Sequence, residues 1–453
     1  MVDGPTITGI PLSLQHEFFC AFDFGDVTGA FGSRHVVTST WRVRGPLDVA
    51  VLQEALDDLV ERHEMLRTSI ARSGENRDLR VHPPVPVELT VHDLPTGPDD
   101  RHRRAQEFLN EVEAGHYPVG ELPHLRAALG RFADGDAVLV LVVHHIAGDG
   151  WSMRLLLRDL SVRYAVRRGL PAPELPPARQ YREYAESVPE LLDGPAVRAS
   201  RAYWRSKLAG ARMAALTAER VPDPGGAAVF ADHRYLIDAP TTQGVLRLAR
   251  SLRSTPFMIL LSAYVLLLRD HTGDDDVTAS TFSSGRADPR FRDTVGPFLN
   301  FLPLRVNLRG CRTFRDVVTL VRTTCLEAYQ HDIPFTLIEA EAPGLMDPAE
   351  LPDRHIVAFE VLQFPPAAED GPVGGLEYEE LRERTLPAEL SCDIPDGGLW
   401  AMDLLPSGAT GGSLKFDARA FDAATMWNLV AAYERVLRSA VADPEGLPDV
   451  SAR

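Results

Sequence analysis

Cysteine is scarce in this chain: Cys20, Cys311, Cys325 and Cys392 are the only four in 453 residues, widely spaced and without a Cys-x-x-Cys pair. That excludes a zinc ribbon, gives no disulfide framework and fits a reducing compartment, so a cytoplasmic location is expected. The opening residues Met1-Val2-Asp3-Gly4-Pro5 lack both the basic flank and the apolar core of a signal peptide, and no apolar run is long enough to span a bilayer. No membrane association is expected. Positive charge is in deficit, with 47 Lys and Arg against 64 Asp and Glu and a formal net charge of −17. A general nucleic-acid binder needs a basic surface to neutralise phosphates, so nucleic acid is not an expected partner.

What the chain does have is concentrated in His144-His145-Ile146-Ala147-Gly148-Asp149-Gly150-Trp151-Ser152. The preceding run from Ala137 to Val143 is apolar and β-branched, which predicts a strand buried on both faces. Adjacent residues at a strand's end point to opposite sides, so His144 and His145 cannot share one cavity, and one of them faces the core. Opposed imidazoles converge poorly on a metal ion, and no metal is expected. Two structural histidines without chemistry is the bland alternative for an isolated pair. The following segment changes the balance. Met153, Leu156, Leu157, Leu160 and Tyr164 recur at helical spacing, which predicts a helix from Trp151 to Arg168 starting beside the histidines. Its N–H groups and dipole favour developing negative charge, and Gly150 lets a substrate approach the backbone closely. The set reads as an acyl-transfer site with one of the two histidines and Gly150 at the chemistry. No Gly-x-Ser-x-Gly elbow is present and no cysteine adjoins the motif, so direct transfer without an acyl-enzyme is expected.

At 453 residues, 45% hydrophobic and 25% charged, the chain is long enough for two large cores. Helical periodicity covers Leu47 to Val60, Phe257 to Asp270, Thr313 to about Gln330 and Ala423 to Val441. Strands are expected at Thr68 to Ala71, Val277 to Phe282, Leu302 to Leu308 and Ile356 to Gln363. Four prolines between Leu170 and Pro177 make the strongest interruption and place the boundary between subdomains 1–177 and 178–453.

The motif HHxxxDG followed by Trp151-Ser152 resembles the active-site signature of nonribosomal peptide synthetase condensation domains, in the chloramphenicol-acetyltransferase-like superfamily. Other segments resemble that family's motifs in the same order: Pro11-Leu12-Ser13-Leu14-Gln15, the run Arg62 to Thr68, Tyr203-Trp204, Ser284-Gly285-Arg286, the run Gly296 to Arg305, and His331 to Phe335. The resemblance implies an α/β (α+β) fold of two acetyltransferase-like subdomains in a V-shaped pseudo-dimer with a central tunnel. Segments Ser283 to Phe298 and the loop after Phe364 are the expected crossings of the cleft. It places His145 in the tunnel and turns His144 to the core. It also makes Asp149 a structural residue paired with Arg286 or, as the second choice, Arg67. Trp151, Ser152, Ser284 and Asn300 are the tunnel candidates, though Asn300 reads equally as a buried amide satisfying backbone.

The activity the resemblance implies is that of a free-standing condensation enzyme. It would transfer an acyl or aminoacyl group from the phosphopantetheine thioester of a carrier protein to an alcohol or amine acceptor, in natural-product pathways that include those of enediyne antibiotics. No cofactor of its own is expected, since the phosphopantetheine arrives on the carrier, and Gly411-Gly412-Ser413-Leu414 lacks the spacer of an attachment site. Arg154, Arg158 and Arg205 are the named candidates for docking an acidic carrier, against a solvated helix face as the plainer reading. Three other functions remain open: a catalytically silent carrier-binding domain, an epimerization domain and a coenzyme A-dependent acyltransferase of the same fold.

Overall fold

The apolar run before the histidine pair forms the middle strand, Asp136–His144, of a five-stranded sheet, and every residue of it is buried. Val36–Arg44 and Leu125–Arg131 flank it antiparallel, with His144 opposite Val36. Glu88–Asp93 and Glu377–Glu380 form the edges. Both faces of this central strand are thus covered, which is why its sequence shows no polar alternation. Helix Val49–Arg62 packs beside the helix Gly150–Arg167 that follows the motif. The computed structural model describes residues 5–72, 77–192, 194–223, 226, 228–362 and 373–450.

The chain divides into two compact units, and the division is not linear. The first takes in residues 1–192, 286–299 and 364–382, and the second takes the remainder. The first boundary thus falls after Leu192 and not in the proline-rich stretch at 170–177. Helix Tyr181–Leu192 lies beyond the prolines, yet Tyr181, Tyr184, Ala185 and Val188 are buried in the first unit's core. Phe291, Val295, Phe298 and Leu376 join that same core from far along the sequence. Of the two expected crossings, 286–299 belongs to the first unit, while residues 363–372 of the later one lie outside the described residues.

The second unit is built on a six-stranded mixed sheet ordered Asn300–Asn307, Asp276–Ser283, Val357–Leu362, Gly398–Leu404, Thr410–Asp417 and Phe230–Ile237. Helices Pro256–Thr272, Phe314–Gln330 and Ala423–Ala442 fall where helical periodicity predicts them. On one sheet face Phe359 stacks on Tyr264 at 4.7 Å between centroids, and Trp400 meets Tyr433 at 5.1 Å. Among the described residues, no single helix is long and apolar enough to cross a membrane.

Candidate active site

Alternation at the end of the middle strand sends the two imidazoles apart. His144 is 2% exposed, and both ring nitrogens are used: Nε2 donates to the Gly32 carbonyl at 3.1 Å and Nδ1 accepts the Ile146 N–H at 3.4 Å. Burial first, then the neighbouring His124 and His35, push its pKa far below the ordinary imidazole value, so the ring is neutral. His145 is half-buried. Its backbone N–H donates to the His35 carbonyl at 2.9 Å, and its ring stacks on the His35 ring at 4.8 Å with planes 15° apart. Phe19 meets both rings edge-on, at 6.0 Å from His145 and 5.8 Å from His35. His35 is itself fixed by its Nδ1, which donates to the Ala30 carbonyl at 2.8 Å.

The loop between the histidines and the helix is anchored at its far end by Asp149. As N-cap of the helix, Asp149 accepts the Ser152 N–H at 2.8 Å and the Ser152 hydroxyl at 2.7 Å through Oδ1. Its Oδ2 accepts the Phe298 N–H at 3.1 Å. Arg286 Nη2 lies 2.8 and 3.1 Å from the two carboxylate oxygens, and Arg286 Nη1 donates to the Thr294 carbonyl at 3.0 Å. The guanidinium sits 4.1 Å over the Phe298 ring. Asp149 is 3% exposed and Arg286 8%, so each charge depends on the other.

Further ties hold the turn from beneath. Buried His16 bonds the Ile146 carbonyl through Nε2 at 3.0 Å, and its Nδ1 lies 3.1 Å from Ser13 Oγ. Ser13 Oγ is 2.8 Å from the Tyr181 hydroxyl, which donates to the Pro297 carbonyl at 3.0 Å. A Cβ at Gly296 would come within 2.0 Å of the Tyr181 ring, so this close approach requires glycine. The run Arg62 to Thr68 plays a similar part. Asp159, fully buried, accepts from His63 Nε2 at 3.0 Å, Arg62 Nε at 2.7 Å and Arg158 Nε at 2.8 Å. Burial pushes the Asp159 pKa up, but the His63 bond and the Arg158 charge outweigh it and hold it at about 2.

Several expected site residues are placed elsewhere. Arg67 does not reach Asp149; it donates to the backbone carbonyls of Val60 and His82. Ser152, expected toward the substrate, is fully buried, because its hydroxyl joins Asp149, Arg286 and Gly296. Its N–H is taken by Asp149 and is not available to an oxyanion. Asn300, in the second unit, spends its amide on Asp332, the Ile333 carbonyl and the Phe335 N–H, which fixes the His331–Phe335 stretch. Ser284 is exposed, Gly150 is the half-buried first residue of the helix, and Trp151 Nε1 donates to the Arg292 carbonyl at 2.9 Å.

Of the docking candidates, Arg154 is a poor fit: its side chain is 10% exposed and bonds Glu380 at 3.3 Å. Arg158 is held by Asp159 and Asp293, whereas Arg205 pairs with Glu341 while 68% of its side chain stays exposed. The other arginine-rich helices are similarly occupied by intramolecular acids, such as Arg167 with Glu54 and Asp58. Among the described residues, no group of three His, Cys, Asp or Glu is arranged to hold a metal ion.

His35, Phe19, His16 and Tyr181 were not identified from the sequence. His16 directly follows the Pro11 to Gln15 motif, which is a signal of sorts; a lone histidine such as His35 carries none.

Residues 29–448 match the condensation-domain family model. The probable non-canonical nonribosomal peptide synthetase CymA of Salinispora arenicola is 35% identical over 416 residues, 89% of this chain, which spans only 5% of that protein. Among solved structures, the SgcC5 protein of Streptomyces globisporus, in complex with (R)-(-)-1-(2-naphthyl)-1,2-ethanediol and sucrose, is 41% identical. It matches with a TM-score of 0.93 over 97% of this chain and 100% of that one. The X-domain from teicoplanin biosynthesis matches at 26% identity and a TM-score of 0.76, over 96% of each chain. The fold is that of the chloramphenicol-acetyltransferase-like condensation domains, and the chain belongs to the condensation-domain family.

Proposed function

We infer that this chain is a free-standing condensation enzyme that moves an acyl or aminoacyl group from a carrier protein's phosphopantetheine thioester to a hydroxyl or amine, forming an ester or amide. The observation that carries this reading is the contrast within the histidine pair. His144 is sealed with both nitrogens bonded, while His145 is half-exposed on a stacked and backbone-fixed ring. A neutral imidazole held in that way takes the proton of the attacking O–H or N–H, or orients it, as the nucleophile adds to the thioester carbonyl. Collapse breaks the C–S bond, and the proton returns to the departing thiol. The Asp149–Arg286 pair keeps the loop in place and takes no part in proton transfer. Gly150 leaves room for the thioester at the helix start.

A hydroxyl acceptor is favoured by the aryl vicinal diol bound in the Streptomyces relative, which is also the support for a stand-alone unit, since the match covers the whole of that chain. The setting in natural-product biosynthesis, of the enediyne antibiotic kind, rests on the family resemblance. So does action on carrier-borne substrates; a cytoplasmic setting is supported by the four scattered cysteines, and the net charge of −17 speaks against nucleic-acid partners. A silent recruitment domain is the second reading, prompted by the X-domain likeness.

The test is to incubate the chain with an aminoacyl carrier protein, the same acyl group as its coenzyme A thioester, and a panel of alcohols and amines. Ester or amide product from the carrier thioester alone supports the proposal. Product from coenzyme A alone assigns a different acyltransferase, and no product with tight carrier binding assigns the silent domain.

A further inference from the structure

The loop between helix Leu14–Cys20 and strand Val36–Arg44 holds two large apolar side chains out in water. Phe24 is 57% exposed and Val27 68%. Their turn is tied at several points. The Phe22 carbonyl accepts the Ala30 N–H at 2.9 Å, the Asp26 carbonyl accepts the Ser33 N–H at 3.2 Å, and the Gly25 N–H donates to Asp23 Oδ1 at 3.1 Å. Arg72, lying 4.3 Å over the Phe31 ring, binds Asp23 at 2.9 Å and Asp26 as well. The Phe24 ring rests over Gly29, whose φ is +75°; a Cβ there would stand 2.8 Å from the ring and 2.4 Å from the Phe22 carbonyl. The turn is therefore fixed in advance, and a ligand packing on Phe24 and Val27 does not have to order it.

Both ends of this turn frame His145. At one end the Phe22 N–H donates to the Phe19 carbonyl at 3.0 Å, and Phe19 is the residue whose ring meets His35 and His145 edge-on. At the other end the Ala30 carbonyl accepts from His35, on which His145 stacks. The apolar pair thus stands on one rigid turn of the first unit, between the two residues that flank the proposed catalytic ring.

Charge separates the two substrates this turn could serve. Glu17 and Arg77 balance each other at 2.7 Å, but Arg72 is shared by two carboxylates. That leaves the turn Phe22–Ala30 one negative charge in excess, with 67% of the Asp26 side chain exposed. A phosphopantetheine arm brings an anionic phosphate, which this charge repels, whereas an alcohol or an unprotonated amine meets no such repulsion.

We propose that Phe24 and Val27 form an apolar lip that takes an aryl group of the acceptor, remote from its nucleophilic atom, and so select acceptors that carry one. This rests on the acyl-transfer reading above. The exposed Phe24 ring supplies the partner for a ring-on-ring contact, and Val27 closes the apolar surface beside it.

The experiment compares 1-(2-naphthyl)-1,2-ethanediol with 1,2-propanediol, which share the vicinal diol and differ in the aryl group, using one phenylalanyl carrier-protein thioester as donor. The native chain is expected to prefer the naphthyl diol. Phe24→Ala is expected to lower the ratio of the two kcat/KM values about 3- to 10-fold, through a higher KM for the naphthyl diol and with KM for the carrier thioester unchanged. Phe24→Trp, which restores a ring, should recover the native ratio. Because the ratio is internal to each variant, partial loss of folded enzyme cancels from it. An unchanged ratio in Phe24→Ala, with both diols turned over, would overturn the lip alone. A higher KM for the carrier thioester in place of the diol would overturn its assignment to the acceptor. Transfer to neither diol by the native chain would overturn the acyl-transfer reading and this assignment with it.

Discussion

The imidazole of His145 lies face to face with that of His35, 4.8 Å away and 15° from parallel, and the same two residues are joined by a backbone hydrogen bond of 2.9 Å. His35 is thus a positioning residue for the ring at the centre of the proposed chemistry. His35→Ala should lower kcat about 10- to 100-fold with KM for both substrates little changed, because a misplaced ring loses reaction geometry more than binding. His35→Phe, which keeps a ring to stack on, should recover part of that loss. Steady-state kinetics of both variants decide it; equal kcat in the two would reduce His35 to a packing role.

The adjacent histidines should separate cleanly. His145→Ala should cut turnover by about two to four orders of magnitude, the range for a general base, and leave the melting temperature near native. His144→Ala should instead lower stability by about 1–3 kcal/mol, since the Gly32 carbonyl and Ile146 N–H lose their partner in a buried site. Turnover at saturating donor and acceptor, paired with denaturant titrations, checks both. Near-native turnover of His145→Ala with alcohols and amines alike would defeat the mechanism.

Asp149→Ala should cost about 3–5 kcal/mol, because it strands a guanidinium that is only 8% exposed, and activity should fall with it. The double variant Asp149→Ala, Arg286→Met should be more stable than Asp149→Ala alone. Chemical denaturation of the three proteins measures this coupling. Full stability in Asp149→Ala would contradict an anchoring role.

Buried histidines should make the fold sensitive to acid before its carboxylates titrate. Burial holds His16 and His124 at about 4, against an ordinary value of 6.5. Below 6.5 the unfolded chain takes up protons that the folded chain refuses, so stability is level above that pH and declines between 6.5 and 4. The slope is on the order of 1 kcal/mol per pH unit for each histidine. Asp159, held at about 2, adds a further loss below pH 4. Denaturant midpoints at pH 8, 6, 5 and 4 test the sign, and a flat profile from 7 to 5 would refute it.

Local pattern made the helices and strands legible, since Val277 to Phe282 or Thr313 to Gln330 carry their own periodicity and caps. The opposite burial of His144 and His145 follows from strand alternation in the same way. Asp149 with Arg286 was legible only through family resemblance, because 137 residues separate them. Ser152 was misplaced, and Asn300 left between two readings, for a common reason: a hydroxyl or amide near a motif is equally able to bind substrate or backbone, and only the folded chain shows which is nearer. Arg154 was misplaced because its partner, Glu380, arrives on a strand from the far end of the sequence.

The interleaving of the two units sets a rule for recombination between related chains. A chimaera joined once, at the prolines of 170–177, would inherit Asp149 from one parent and Arg286, Gly296 and Phe298 from the other, along with the strand Glu377–Glu380 that completes the first unit's sheet. Its helix Tyr181–Leu192 would likewise come from the wrong parent. Exchange at the compact-unit boundaries, moving 1–192 together with 286–299 and 364–382, keeps those contacts between residues of one ancestry. Recombination is therefore tolerated in proportion to how many of these three segments travel together, whatever the parents' overall identity.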